Sequence, residues 1–367
     1  MRQPAHGGNL AWAAALAGCP PDAILDFSAS ISPLGPPNSA IAAIKSQIGN
    51  LKHYPDPNYS ELRLALSHFH QLPSEWILPG NGSAELLTLI GRELAQLAAT
   101  ILITPAFGDY YRTLAAYNAK VLECPLSLVI GHWSLVLSVR VASRREAEVL
   151  IIDKIQRTKD KGLLLNNPHN PTGKLFSRES ILPYLEQFAL VVVDEAFMDF
   201  VPPNEEQSLI PVVQEYPNLV VLRSLTKFYS LPGLRLGYAI AHPDCLAKWQ
   251  LWRDPWPVNT LAVAAAIAAL QDTEFQQQTW AWLPPARNQL FQGLNEIPGL
   301  QPQASAANFL LVESQESTSQ LQQQLLKDHQ ILIRDCLSFK ELGDRFFRVA
   351  VREESDNQRL LTALKES

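Results

Sequence analysis

The chain predicts an α/β fold, a large domain with a mostly parallel central sheet plus a smaller α+β lobe, and two observations carry that prediction. Short runs at 100–103, 162–165, 190–193, 219–222 and 236–241 are apolar throughout instead of alternating, as strands covered on both faces must be. Helical stretches such as 84–98 and 178–188 fall between them, and strands alternating with helices build parallel sheets. Ligands of such sheets sit beyond the carboxyl ends of the strands. Thr104, Asn167, Asp194 and Ser224 fall at those ends.

From residue 262 onward the character changes to Gln- and Leu-rich helical patterns with short strands at 309–312, 331–333 and 346–351. The expected organisation is therefore an N-terminal arm (1–45) packing on the small lobe, a large cofactor-binding domain (46–255) and a small C-terminal domain (256–367). At 367 residues, 47% hydrophobic and 18% charged, there is ample core material for this.

Composition excludes several function classes. A net charge of -6 supplies no basic field for nucleic acid. The one basic stretch, 154–161, contains Asp160 and reads as a solvated connection. Four scattered cysteines (Cys19, Cys124, Cys245, Cys336) without a CxxC pair fit neither a disulfide framework nor a zinc site. No histidines have the spacing of a helical metal pair, so no metal is expected. The longest apolar run, 261–270, is Ala-rich and falls short of the roughly 18 residues a membrane span needs. Leu16-Ala17-Gly18-Cys19 mimics a lipoprotein cleavage site, but Arg2 alone supplies positive charge ahead of it and Gly7-Gly8 interrupts the segment. A cytoplasmic location is the expectation.

Lys227 is the chemical centre. It lies in Ser224-Leu225-Thr226-Lys227-Phe228-Tyr229, followed by Pro232-Gly233-Leu234-Arg235. A lysine can form a Schiff base with an aldehyde while Ser224, Thr226 and Arg235 hold an anion nearby, and pyridoxal 5′-phosphate carries both groups. Asp194, closing an apolar strand, is suited to keep a pyridine nitrogen protonated. Asn170, in Asn167-Pro168-His169-Asn170-Pro171-Thr172-Gly173, can donate to the ring's phenolic oxygen. Gly80-Asn81-Gly82-Ser83-Ala84-Glu85 opens a helix whose first N–H groups, at Ser83 and Ala84, suit a phosphate. Phe107 offers a flat face for stacking. Singly, each has a plainer reading: a surface lysine, a helix cap, an Asn-Pro turn, a Gly-rich turn, a core aromatic.

In this order and combination the motifs resemble the fold-type I, pyridoxal-phosphate-dependent enzymes of the class I/II aminotransferase superfamily, over nearly the whole chain. The resemblance implies an aspartate aminotransferase-like fold and a homodimer in which Tyr54, from His53-Tyr54-Pro55, reaches the cofactor phosphate of the neighbouring subunit. Within the superfamily the sequence is similar to the L-threonine O-3-phosphate decarboxylases of cobalamin biosynthesis. The stretches that carry this are His6-Gly7-Gly8-Asn9, residues 25–35, residues 223–229, and residues 331–336 with 345–350. That implies a small phosphorylated amino acid as substrate, converted to 1-aminopropan-2-yl phosphate and carbon dioxide, with Lys227, Asp194 and Asn170 catalytic. His6, Gly7, Gly8, Ser32, Arg334 and Arg348 would contact the substrate. Its phosphate and carboxylate together carry about three negative charges near neutral pH, and two arginines offer matching planar forks.

Two positions depart from the pattern. Phe197 stands where transaminases place a Tyr, which favours the decarboxylase; Ser32 stands where relatives tend to have Asn, which shortens reach toward the substrate. The alternative activity is transamination of histidinol phosphate or another amino acid. A pyridoxal-phosphate-binding transcriptional regulator would add an N-terminal DNA-binding domain, and the chain begins at the substrate loop with no basic surface in its composition.

Overall fold

A computed structural model of the chain describes residues 7–129, 132–134 and 159–367. His6 and the stretch 154–158 lie outside the described residues. The central sheet has seven strands: β1 (Ile77–Asn81), β2 (Ala99–Thr104), β3 (Val121–Pro125), β4 (Lys161–Asn166), β5 (Leu190–Asp194), β6 (Leu219–Ser224) and β7 (Leu236–Ala241), in the order β1-β7-β6-β5-β4-β2-β3. From β3 to β6 all pairs are parallel.

The apolar runs are covered on both faces because successive side chains of a strand point to opposite sides. Leu164, Val192, Val220, Leu222 and Ala239 meet Leu86, Ile90 and Leu94 of the helix Ser83–Leu94, together with Leu114 and Trp249. Their neighbours Leu163, Val191, Val193, Val221 and Ile240 face a second apolar cluster, which continues unbroken into the small lobe through Phe309, Val312, Phe347 and Val349. Each fully buried Val or Leu contributes about 1.5–3 kcal/mol.

One strand runs against expectation. β7 is antiparallel to both β6 and β1. The link 225–235 is too short for a helical crossover, which takes a dozen residues or more, and it is occupied by the lysine segment itself. The strand β1 was not anticipated either: its residues Pro79, Gly80 and Asn81 disguise it as loop, yet it pairs with β7 along its whole length.

In the small lobe, β8 (Leu300–Pro302), β9 (Phe309–Ser314), β10 (Arg334–Asp335) and β11 (Phe346–Ala350) form an antiparallel sheet ordered β8-β9-β11-β10. The N-terminal segment divides its contacts. Leu25–Asp26 pairs in parallel with Ile331–Leu332, and Ala13 and Ala14 of the helix Leu10–Ala17 pack with Leu326 and Leu332. The helix Asn38–Gln47 instead lies against the half-buried, Ala-rich helix Thr260–Gln271.

On the reverse side of the β5 and β6 ends sits a buried ionic network. Arg223 Nε donates to Glu195 Oε2 (3.0 Å), and its Nη atoms donate to Asp199 Oδ1 and Glu206 Oε1. Ser208 Oγ (2.7 Å) and the Leu209 amide (2.8 Å) complete the shell of Glu195. Burial pushes the Glu195 carboxyl up to about 7, against the pull of Arg223 and Ser208.

Candidate active site

A cavity of about 260 Å³ opens beyond the carboxyl ends of β4 and β5, between the two sheets. Asn166 and Asp194, the last residues of those strands, form its floor.

Lys227 enters from the turn after β6. Its Nζ donates to Thr226 Oγ1 (3.1 Å) and Ser224 Oγ (3.4 Å), and those hydroxyls bond each other at 2.8 Å. Burial lowers the amine's pKa to about 8; Asp194 opposes this, while Arg235 and Arg348 reinforce it. A desolvated lysine beside cations is a competent nucleophile. The turn is braced from outside: the Ser32 amide donates to the Lys227 carbonyl (3.0 Å), and Ser230 Oγ donates to the Ser32 carbonyl (2.6 Å).

Asp194 is buried and accepts from the Tyr110 hydroxyl (2.7 Å) and the Ala196 amide (3.0 Å). Burial raises its pKa, while Tyr110, Lys227 and the Ala196 amide draw it back. Burial and the neighbouring carboxylate hold Tyr110 well above the usual phenol range, so it remains a donor. A carboxylate so held can keep a facing ring nitrogen protonated.

Asn170 is fixed through its backbone, whose amide donates to Asn166 Oδ1 (2.7 Å), while Asn166 Nδ2 donates to the Asp194 carbonyl. Its side-chain oxygen accepts from Arg348 Nη1, which leaves the amide nitrogen as the group able to donate into the cavity.

At the opposite end, Ser83 and Ala84 begin the helix that follows β1. Two glycines allow this approach. Gly82 has φ +73, and a Cβ there would lie 2.7 Å from Arg235 Nη2; one on Gly237 would lie 2.6 Å from the Ser83 amide nitrogen. Arg235 lines the cavity beside them. Free helix-start amides with an adjacent guanidinium make an anion site. Phe107 walls one side, edge-on to Tyr110 at 5.7 Å, and the Phe197 ring lies 5.6 Å from Lys227 Nζ.

The small lobe supplies two buried cations. Arg334 and Arg348 are direct cross-strand partners on β10 and β11, and both line the cavity. Arg334 Nη2 donates to Ser338 Oγ at 2.7 Å. Arg348 Nη2 donates to the Ser28 carbonyl at 3.2 Å, and its guanidinium carbon lies 4.9 Å from the centre of the Phe309 ring. Burial, reinforced by Arg334, lowers the Arg348 pKa to about 10, so it stays charged at neutral pH. Like charges directly opposite on adjacent strands repel, and an anion between them would relieve that repulsion.

The cavity thus gathers Ser83, Ala84, Phe107, Asn170, Asp194, Lys227, Arg235, Arg334, Arg348 and Gly7. Ser224 and Thr226 stand just behind, bonded to Lys227. Gly8 lies alongside, its amide donating to Ser28 Oγ at 2.8 Å. Ser32 is not on the wall: it is buried, and its backbone braces the lysine turn. Tyr54 is also elsewhere within one chain. It is 79% exposed, its ring 4.5 Å from that of Trp256, at a separate groove bordered by the helices Asn38–Gln47 and Thr260–Gln271. Sequence reasoning overlooked Tyr110, Asn166, Ser28, Ser30 and Ser338. For Tyr110 a signal existed, since it lies in the first turn of the helix that Phe107 precedes.

Among the described residues no group of three His, Cys, Asp or Glu side chains could hold a metal ion, and no helix is long and apolar enough to cross a membrane.

Residues 22–364 match the family model "Aminotransferase class I and II". The chain is 39% identical over 370 residues to the threonine-phosphate decarboxylase of Salmonella typhimurium, covering 98% of this chain and 96% of that one. It is 33% identical over 340 residues to the histidinol-phosphate aminotransferase of Symbiobacterium thermophilum, covering 91% and 88%. Among solved structures, the histidinol-phosphate aminotransferase of Sinorhizobium meliloti in complex with pyridoxal-5′-phosphate superposes with a TM-score of 0.83 at 23% identity, covering 98% of this chain and 94% of that one.

Proposed function

The chain belongs to the class I and II aminotransferase family, with pyridoxal 5′-phosphate as its cofactor, and from that premise we propose that it decarboxylates L-threonine O-3-phosphate. The products are 1-aminopropan-2-yl phosphate and carbon dioxide, which would supply the aminopropanol linker of cobalamin-type corrinoids. The observation that carries this reading is the opposed, buried pair Arg334 and Arg348 lining the lysine cavity. Two desolvated forks call for a substrate with two anionic groups, and a phosphorylated α-amino acid has both. The likeness to the Salmonella typhimurium enzyme points the same way.

When bound, the cofactor supplies an electron sink for the bond broken at the substrate α-carbon. In this reading Asp194, oriented by Tyr110, would keep the pyridine nitrogen protonated. Asn170 Nδ2 would be the donor available to the ring oxygen, and Phe107 would offer its face to the ring. The amides of Ser83 and Ala84, with Ser224, Thr226 and Arg235, would hold the cofactor phosphate. Lys227 would be the amine that carries the cofactor and the group that returns a proton to the substrate α-carbon. Arg334 and Arg348, with the Gly7-Gly8 segment, fix the substrate's phosphate and carboxylate. Their placement decides which bond at the α-carbon is oriented for cleavage, and that choice separates decarboxylation from transamination. Phe197 contributes no hydroxyl beside the ring oxygen.

The same reading takes 46–255 as the cofactor-binding domain, 256–367 as the small domain and 1–45 as an arm, in a cytoplasmic homodimer. Tyr54, exposed in a single chain, would then reach the cofactor phosphate of a second copy. A second reading, transamination of histidinol phosphate, is favoured by the likeness to the Symbiobacterium thermophilum enzyme. Purified holoenzyme given threonine phosphate should release one carbon dioxide per molecule consumed. If no gas evolves and histidinol phosphate with 2-oxoglutarate yields glutamate, the second reading replaces the first.

A further inference from the structure

The backbone ladder between β5 and β6 stops short of the lysine turn. Pairing ends at Asp194 opposite Leu222, with one further bond from the Glu195 amide to the Leu222 carbonyl (2.8 Å). Beyond it, Arg223 and Ser224 pair with Tyr238 and Gly237 of β7, on the side away from β5. Among the described residues no backbone hydrogen bond joins 223–227 to 194–200. Side-chain bridges from Arg223 span that gap. Its Nε donates to Glu195 Oε2 at 3.0 Å, with the two side chains 2% and 0% exposed, and an Nη atom donates to Asp199. Successive side chains of a strand point to opposite faces. Asp194 therefore lines the cavity and Ser224 Oγ reaches Lys227 Nζ, while their neighbours Glu195 and Arg223 meet behind. Glu195 is itself anchored by Ser208 Oγ and the Leu209 amide. A buried ion pair is often no more stabilising than apolar side chains of the same volume. What this one adds is the fixed direction of a planar fork.

We infer that Arg223 is a positioning residue whose fork on Glu195 sets the span between the Asp194 carboxylate and the Lys227 amine. The inference rests on the reading that gives Asp194 to the cofactor's ring nitrogen and Lys227 to its aldehyde. One rigid ring must meet both groups, so an error in their separation is felt at the amine, whose attack on the aldehyde carbon expels water. Arg223 acts here through position: the charges that lead among those felt by Lys227 are Asp194, Arg235 and Arg348.

The test compares wild type, Arg223→Lys, Glu195→Gln and Glu206→Gln as apo-proteins. Arg223→Lys keeps the charge and loses the fork. Glu195→Gln weakens the same bridge from its other end, and carries the test if Arg223→Lys does not fold. Glu206→Gln removes a third partner of Arg223, on the loop away from both strand ends, and serves as control. The first readout is the limiting rate of cofactor capture by absorbance at about pH 9, where the Lys227 amine, with a pKa of about 8, is unprotonated. The second is the dissociation constant of pyridoxamine 5′-phosphate, which offers ring and phosphate but no aldehyde. Arg223→Lys should slow capture about tenfold while the second constant stays within about threefold. Glu195→Gln should shift capture in the same direction, and Glu206→Gln should leave both readouts within about twofold of wild type. A merely structural role would lower the melting temperature and move both readouts by the same factor, which would overturn the inference. Capture at the wild-type rate in Arg223→Lys, or slowed equally by Glu206→Gln, would overturn it too. Wild-type protein that captures no cofactor would take down the assignment of Lys227 along with it. No substrate is present, so a failure of the proposed decarboxylation leaves the result readable.

Discussion

Tyr110→Phe removes one oxygen and tests whether the buried carboxylate is the partner of the cofactor ring. The Tyr110 hydroxyl donates to Asp194 Oδ2 at 2.7 Å, and the ring itself is buried, so the variant keeps its packing against Phe107. A hydrogen bond to a charged group contributes about 1.5–3 kcal/mol. Asp194 retains the Ala196 amide and the field of Lys227, which places the loss at the lower end, about 1.5 kcal/mol or tenfold in affinity. The pH dependence has a definite sign. Burial already raises the Asp194 pKa and Tyr110 opposes that rise, so the variant's carboxyl gives up its charge at a higher pH than the native one. A neutral acid cannot keep the pyridine nitrogen protonated, and the deficit must therefore widen as pH falls. Absorbance titration of the apo-protein with pyridoxal 5′-phosphate at several pH values measures this. Affinity within twofold of wild type across the range, in a protein that melts normally, would refute the assignment of Asp194.

Three further outcomes follow from the geometry. Lys227, whose pKa burial lowers to about 8, should capture cofactor at a rate that falls about tenfold per pH unit below that value and levels above it; stopped-flow absorbance gives the profile. Gly237→Ala drives a Cβ to 2.6 Å from the Ser83 amide nitrogen, so cofactor affinity should drop at least tenfold; inorganic phosphate should protect the variant from thermal unfolding less than it protects wild type. Arg223→Met leaves Glu195 and Asp199 buried without their cation, and urea unfolding should report a loss of about 3–5 kcal/mol. Because Glu195 titrates near 7, that loss should shrink at pH 5, where its carboxyl is neutral.

The parts of this protein legible in the sequence are those that local chemistry determines. Apolar runs such as 190–193 read as strands because burial on both faces removes alternation, and Asp194 stands out as a carboxylate ending such a run. Lys227 with Ser224, Thr226 and Arg235 is readable because the turn holding them is continuous in the chain. What could not be read depends on contacts between distant segments. The direction of β7 follows from pairing with β1, whose own Pro and Gly conceal a strand. The partnership of Tyr110 with Asp194 joins residues far apart in the chain, and neither position announces the other. Ser28 is one serine among several near the N-terminus until the fold sets its carbonyl under Arg348 Nη2. Ser32, read as a substrate contact, lies instead behind the lysine turn, because the hydrogen bonds that draw it there are made by its backbone, whose partners no residue identity reveals.

That backbone tether ties two functions together. The wall Ser28–Ile31 and the turn bearing Lys227 are clasped at Ser32 and Ser230, so a displacement of either should be felt by the other. Filling the anion side should therefore tint the chromophore before any chemistry occurs. Ser230→Ala removes the side-chain half of the clasp and leaves the Ser32–Lys227 backbone bond, so it should weaken the link between colour and occupancy without abolishing it.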